Sequence, residues 1–200
     1  MQMETEGTHL YHGAGAYALA AIVQSNTLLE GVYWGKPGEP HGPRTSRSFT
    51  AASAFITYNV HWGEGGVIVL DRIALARDYA IQSYVDTVSG DYMEKEQEEV
   101  ILAKAVTNLD RYLVSIVCDP EVIKTAKLTD CLEAARSECG WAFEHEEDDL
   151  ARAALDQLLV HPKLNAWVPA EGYPFHGNWP EVAKAREFRN NKPKGASARM

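Results

Sequence analysis

The sequence predicts an α+β fold: an antiparallel sheet with flanking helices, followed by a helical C-terminal part. Two observations predict it. Short apolar runs such as "VIVL" at 67–70 and "YLVSIVC" at 112–118 dominate up to Cys118, and the later ones follow one another with no helix between. That succession suits an antiparallel sheet better than a doubly wound one, in which helix and strand alternate. From Asp119-Pro120 onward the spacing of apolar residues becomes helical. Apolar residues make up 46% of the 200-residue chain, enough for a core, and the length suits one domain with an appendage.

Taken in order, Thr8 to His12 reads as a short strand and Ala16 to Gln24 as an alanine-rich helix stopped near Ser25-Asn26. The Gly- and Pro-rich stretch Gly31 to Pro43 reads as a loop. "TAASAFITYNV" has helical spacing, with Ala51, Ala54, Phe55 and Tyr58 on one face and Ser48 or Thr50 as the cap. Gly65 to Arg72, Tyr79 to Val85, Glu99 to Val106 and Arg111 to Cys118 read as strands, with a polar loop from Asp86 to Glu98. Helices are expected over Glu121 to Lys127, Asp130 to Glu138 and Glu144 to Leu159, and an irregular aromatic strap over His161 to Pro180.

Charge and composition exclude several classes. The formal charge of −9 argues against a surface that attracts nucleic acid as a whole. The tail from Ala183 to Met200 differs, with six basic residues against Glu187 alone, and is the one hint of an acidic partner. Cys118, Cys131 and Cys139 form no C-x-x-C pair, so they read as buried thiols and not as a disulfide or zinc framework. The histidine pairs His9 with His12 and His41 with His61 lack matching acidic or cysteine ligands, and no metal is expected. No window is apolar for the length a membrane helix needs, and the acidic, polar N-terminus does not resemble a secretory signal, so the expected location is cytoplasmic.

The phosphate-binding loop G-x-x-x-x-G-K-[ST], the G-x-G-x-x-G fingerprint, H-E-x-x-H and G-x-S-x-G are all missing. Three local features remain. His12-Gly13 stands at a strand end, where an imidazole can meet a ligand and a glycine allows close approach; a surface histidine before a turn is the plainer alternative. In "TSRSF", Ser46 and Ser48 share a face if the segment is extended; otherwise they belong to a loop and a helix cap. In "EKEQEEVIL", Glu99 opens an apolar strand while the glutamates before it are expected to be solvated. A carboxylate at the mouth of a sheet can stabilise positive charge or hold a sugar hydroxyl. Gln97 falls on the same face if that segment is extended.

In this order the features resemble the ADP-ribosyltransferase superfamily over roughly Thr8 to Cys118. "LYHG" is similar to the His-Gly strand of the diphtheria-toxin and poly(ADP-ribose)-polymerase branch, "SRSFTAASAFITY" to its aromatic and serine segment, and "EEVIL" to the strand that carries the catalytic glutamate. The resemblance implies a split antiparallel sheet and NAD as substrate, with no metal. It implies that His12 binds the adenosine ribose and Gly13 the nicotinamide carboxamide. Glu99 becomes the catalytic glutamate, with Gln97 orienting the acceptor. Tyr58 becomes the residue stacked on nicotinamide, with Phe49 and Phe55 as rivals. Ser46 and Ser48 resemble the serines that brace the glutamate in the other branch, and Arg47 departs from that pattern by sitting between them; all three are expected among the NAD-binding residues.

The implied activity is mono-ADP-ribosyl transfer to a protein or nucleic-acid acceptor, as in a toxin, a bacteriophage effector or a defence enzyme, and the compartment is then the cytoplasm of the cell or of its target. The implied organisation is an NAD-binding core at 8–118, a helical extension at 119–160, and the strap and basic tail at 161–200. The alanine-rich helix would pack beside the nucleotide. An NAD glycohydrolase fits the same residues, whereas a tRNA 2′-phosphotransferase calls for a more basic cleft. From a different class, a non-catalytic binding protein would use Trp167, Tyr173, Phe175 and Trp179 as its contact patch.

Overall fold

The computed structural model describes residues 7–30, 40–49, 51–53, 65–84, 97–126 and 148–166. Phe55, Tyr58, the expected helix at 130–138, Cys131, Cys139, the strap aromatics and the basic tail lie outside the described residues.

The fold is mixed α+β with a mostly antiparallel sheet. Its strands are β1 (His9–Gly15), β2 (Thr27–Leu29), β3 (Arg44–Ser46), β4 (Gly65–Asp71), β5 (Ile81–Ser83), β6 (Glu98–Ile101), β7 (Ala105–Thr107), β8 (Leu113–Cys118) and β9 (Leu164–Ala166). The helices are α1 (Ala16–Ser25), α2 (Arg72–Asp78), α3 (Pro120–Thr125) and α4 (Asp148–Leu159). The main sheet runs β5-β6-β3-β1-β4-β8-β9, and β2 pairs with β7 in a small second sheet. Every pairing is antiparallel except β8 with β9.

The centre of the sheet follows from its apolar strands. Val67, Ile68 and Leu70 of β4 and Ile116 and Val117 of β8 are buried, as strands covered on both faces must be. Gly65 lets β4 lie close against β1, since a Cβ there would stand 2.1 Å from the Ala14 carbonyl oxygen. One face of the sheet packs Leu10, Ile68, Leu70 and Ile101 with α1 and α4; the other packs Tyr11, Val67, Val69 and Val117 with Ala52 and Phe49.

Alanine serves α1 in a different way from the one expected. Residues Ala16 to Ile22 are all buried, and the helix lies in the core cluster with Ile68 of the sheet and with Ala151, Ala154 and Leu155 of α4. Small side chains allow that close helix–helix approach, so the helix is walled in by protein and not by nucleotide. It ends at Asn26, in the left-handed conformation at φ 51°, whose side chain is locked by two 2.8 Å hydrogen bonds with Asp110.

Other expectations need correction. The run Glu99 to Val106 is not one strand: it breaks at residues 102–104, and its halves enter different sheets because β7 must reach β2. The strand expected to end at Arg72 ends at Asp71, whose side chain accepts from the Ala74 N–H and starts α2. The first stretch of the expected strap forms β9 beside β8. Leu155 and Leu158 of α4 lie in the main core, so the helical extension packs on the sheet. No helix among the described residues is long and apolar enough to cross a membrane.

Candidate functional site

β1 is held very differently on its two sides. It pairs with β4 along its whole length, from His9 opposite Asp71 to Gly15 opposite Gly65. With β3 it forms one described residue pair, Tyr11 opposite Ser46. Past that pair the Arg44 carbonyl accepts from the His12 imidazole Nδ1 at 2.8 Å. A carbonyl only accepts, so Nδ1 carries the proton, and Nε2 of the neutral ring is an acceptor. Burial lowers the His12 pKa and the Arg44 carbonyl raises it; the net shift is downward, so the ring is neutral at neutral pH.

Register then brings the candidates together. Thr45 lies opposite Glu99, with Arg44 opposite Val100 and Ser46 opposite Glu98. Side chains alternate along a strand, so Thr45 and Glu99 share one face while Arg44, Ser46 and Glu98 share the other. Continuing the Tyr11–Ser46 register by one residue sets His12 level with Thr45, and so on the Glu99 face. His12, Thr45 and Glu99 form a row across β1, β3 and β6.

Glu99 is not a free carboxylate at the mouth of the sheet. Its side chain is 2% exposed and lies beneath two arginines. Arg72 donates from Nε to Oε2 at 2.8 Å and from Nη2 to Oε1 at 3.1 Å. The Arg47 Nε stands 3.5 Å from Oε1. The hydrogen bond to Glu99 is the main cause that raises the Arg72 pKa. Two cations therefore meet one anion here, in a chain of net charge −9.

Glu98 is the second correction, since it is buried and not solvated. Arg44 donates to its Oε1 at 2.9 Å and covers the Tyr84 ring at 4.1 Å. Burial pulls the Arg44 pKa down, but Tyr84 and Glu98 outweigh it and hold the value above the ordinary one.

The remaining candidates divide. Gly13 follows His12 on β1, opposite Val67 of β4. Ser46 Oγ accepts from the Ser48 N–H at 2.9 Å, and Ser48 Oγ accepts from the Ala51 N–H at 3.2 Å, so both turn the chain from β3 into the helical residues beyond. Neither hydroxyl is on the Glu99 side by strand alternation: Ser46 shares the Glu98 face, and Ser48 is a cap, not an extended residue. Phe49 lies on the opposite face, edge-to-face with Tyr11 at 5.7 Å. Gln97 is exposed and has φ 49°, so the extended geometry that would align it with Glu99 does not hold. Its carbonyl instead accepts from the Arg47 N–H at 3.1 Å. Phe55 and Tyr58 lie outside the described residues.

Sequence reasoning missed Arg72, Arg44 and Glu98. The signal was present: two adjacent glutamates open the buried strand "EEVIL", and burying two carboxylates demands cations. Arg44, Arg47 and the arginine ending "VIVLDR" are the supply. No family model, curated protein or solved structure matches the chain.

Proposed function

We propose that this chain is a NAD-dependent mono-ADP-ribosyltransferase. The observation that carries the proposal is the row of His12 and Glu99 on one face of the sheet, across β1, β3 and β6. The row sets an acceptor nitrogen and a carboxylate on either side of Thr45.

In this site His12 Nε2 accepts a hydrogen bond from a ribose hydroxyl, because Nδ1 is committed to Arg44. The Gly13 backbone stands beside the nicotinamide carboxamide. The bond between the ribose C1′ and the nicotinamide nitrogen breaks, and its electron pair leaves with nicotinamide. The ribosyl cation that develops is held by the Glu99 carboxylate, as in glycoside hydrolysis. An acceptor nucleophile then bonds to C1′ and releases its proton. Arg47 and Arg72 supply the positive charge that the dianionic diphosphate of NAD needs on an acidic protein.

Nicotinamide release from NAD by the purified chain tests the proposal, with labelled NAD and lysate to separate transfer from hydrolysis. The expected result is release in the wild type and its loss in Glu99→Gln. NAD left intact by the wild type in the presence of lysate would overturn the proposal.

A further inference from the structure

Arg47 and Arg72 meet Glu99 in unlike ways, and the geometry assigns them unlike tasks. Arg72 grips with a fork: two N–H groups on two oxygens, at 2.8 and 3.1 Å. Its own backbone is fixed, with the Arg72 N–H on the Thr8 carbonyl at 3.0 Å and the Asp71 cap just before it. Arg47 has a single contact at 3.5 Å, longer than the roughly 2.7–2.9 Å of a charge-assisted hydrogen bond. Its side chain is 43% exposed, whereas the carboxylate beneath is 2% exposed.

We propose that Arg47 is an exchangeable arm, resting on Glu99 in the free protein and passing to the diphosphate of a bound dinucleotide, while Arg72 stays as the positioning residue that fixes the carboxylate. The inference rests on the transferase reading of this site and deepens it. A planar guanidinium matches a phosphate through two parallel N–H donors, and a chain of net charge −9 needs such a cation to receive a diphosphate. The nearer phosphate is joined through C5′ to the ribose that Glu99 must face, so rotation of one side chain spans the two positions. Withdrawal of Arg47 takes one of two positive charges from the carboxylate and leaves Oε1 with the Arg72 Nη2 bond alone. Glu99 gains electrostatic strength when the dinucleotide is in place, and is kept covered otherwise.

The test measures inorganic pyrophosphate binding by calorimetry and nicotinamide release from NAD, for the wild type, Arg47→Gln, Arg47→Lys and Arg72→Lys, each checked for a cooperative melt. Arg47→Gln is expected to weaken pyrophosphate at least tenfold and to raise the NAD KM more than it lowers kcat, with Arg47→Lys in between. Arg72→Lys keeps the charge without the fork; it is expected to lower kcat more than it raises KM. Pyrophosphate binding that Arg47→Gln leaves untouched would overturn the arm, even where the wild type cleaves NAD. Pyrophosphate binding that depends on Arg47, with no NAD cleavage by the wild type, would keep the anion-binding arm and remove the transferase reading. Equal loss of kcat and KM effect in both arginine variants would overturn the division between them.

Discussion

Glu99→Gln and Glu98→Gln make the same chemical change one residue apart, on opposite faces of β6, and so separate stability from turnover. Each removes the charge of a buried carboxylate that answers an arginine. Breaking a fully buried pair by removing one partner costs about 3–5 kcal/mol. Here Arg72 and Arg44 keep 34% and 37% of their side-chain surface, so each cation can turn to water, and a glutamine oxygen still accepts. The cost falls to about 2 kcal/mol, or roughly 4–8 °C in Tm for a chain of this size. Both variants therefore stay folded at 25 °C and melt lower by similar amounts. Turnover is expected to divide them. Glu99→Gln loses about 100- to 1,000-fold in nicotinamide release, the range for one electrostatic group at a developing charge, with NAD affinity changed far less. Glu98→Gln, facing Arg44 and Tyr84, keeps turnover close to the wild type. Scanning calorimetry and a nicotinamide-release assay on the three proteins suffice. A Glu99→Gln protein that melts lower yet turns over normally would reduce Glu99 to a structural counter-ion. Equal losses in the two variants would refute the division of β6 into two faces.

The remaining predictions concern stability and reactivity. The His12 pKa is lowered by burial below its ordinary 6.5, so below that pH the unfolded chain takes up a proton that the folded one resists. Stability is therefore full above pH 6.5 and falls as the pH drops from there toward the folded-state pKa. His161 acts in the same direction, through burial and then Lys163. Tm measured from pH 7.5 to 5 should drop less steeply in His12→Asn, and least in His12→Asn with His161→Asn; parallel curves would refute the assignment. Leu155→Ala empties a fully buried position between α4 and the rest of the core, at about 3 kcal/mol, and should lower Tm by roughly 6–12 °C. An unchanged melt would detach α4 from the core. Burial pushes the Cys118 thiol up to about 12, so iodoacetamide at pH 8 should leave the Cys118 peptide unmodified until the chain is denatured, as read by mass spectrometry.

What could be read in the sequence follows from how local its causes are. The strand–helix junction at Gly15-Ala16 and the strand ending at Cys118 rest on runs of apolar residues and a change of period, and both are found within a few residues of their expected places. The helix α2 was hidden because Asp71 both ends an apolar strand and caps the next helix, and the helix buries Leu75 alone, leaving no apolar stripe. The break after Ile101 was hidden for a non-local reason. β7 leaves the main sheet to pair with β2, and nothing within "VILAKAV" records where β2 lies. The site divides in the same way. His12 and Glu99 stand out as single residues against apolar strands, whereas Arg72 reaches Glu99 across 27 positions of sequence and becomes visible only through the register of four strands.

Those two buried glutamates also explain why the site is built from arginines. A buried strand tolerates a carboxylate only where a cation meets it, and alternation sends Glu98 and Glu99 to opposite faces, so one cation cannot serve both. Arg44 takes one face. On the other, Arg72 already satisfies both oxygens of Glu99, which makes Arg47 a surplus charge by the count of hydrogen bonds. A surplus cation held loosely above a fixed, buried carboxylate has little to contribute to stability, because its contact is long and its side chain nearly half exposed. Its value lies in what it can do on leaving. On the proposed reading, burial of Glu99 in β6 is what leaves Arg47 able to meet an anionic substrate, and the comparison of Arg47→Gln with Arg72→Lys puts that link at risk directly.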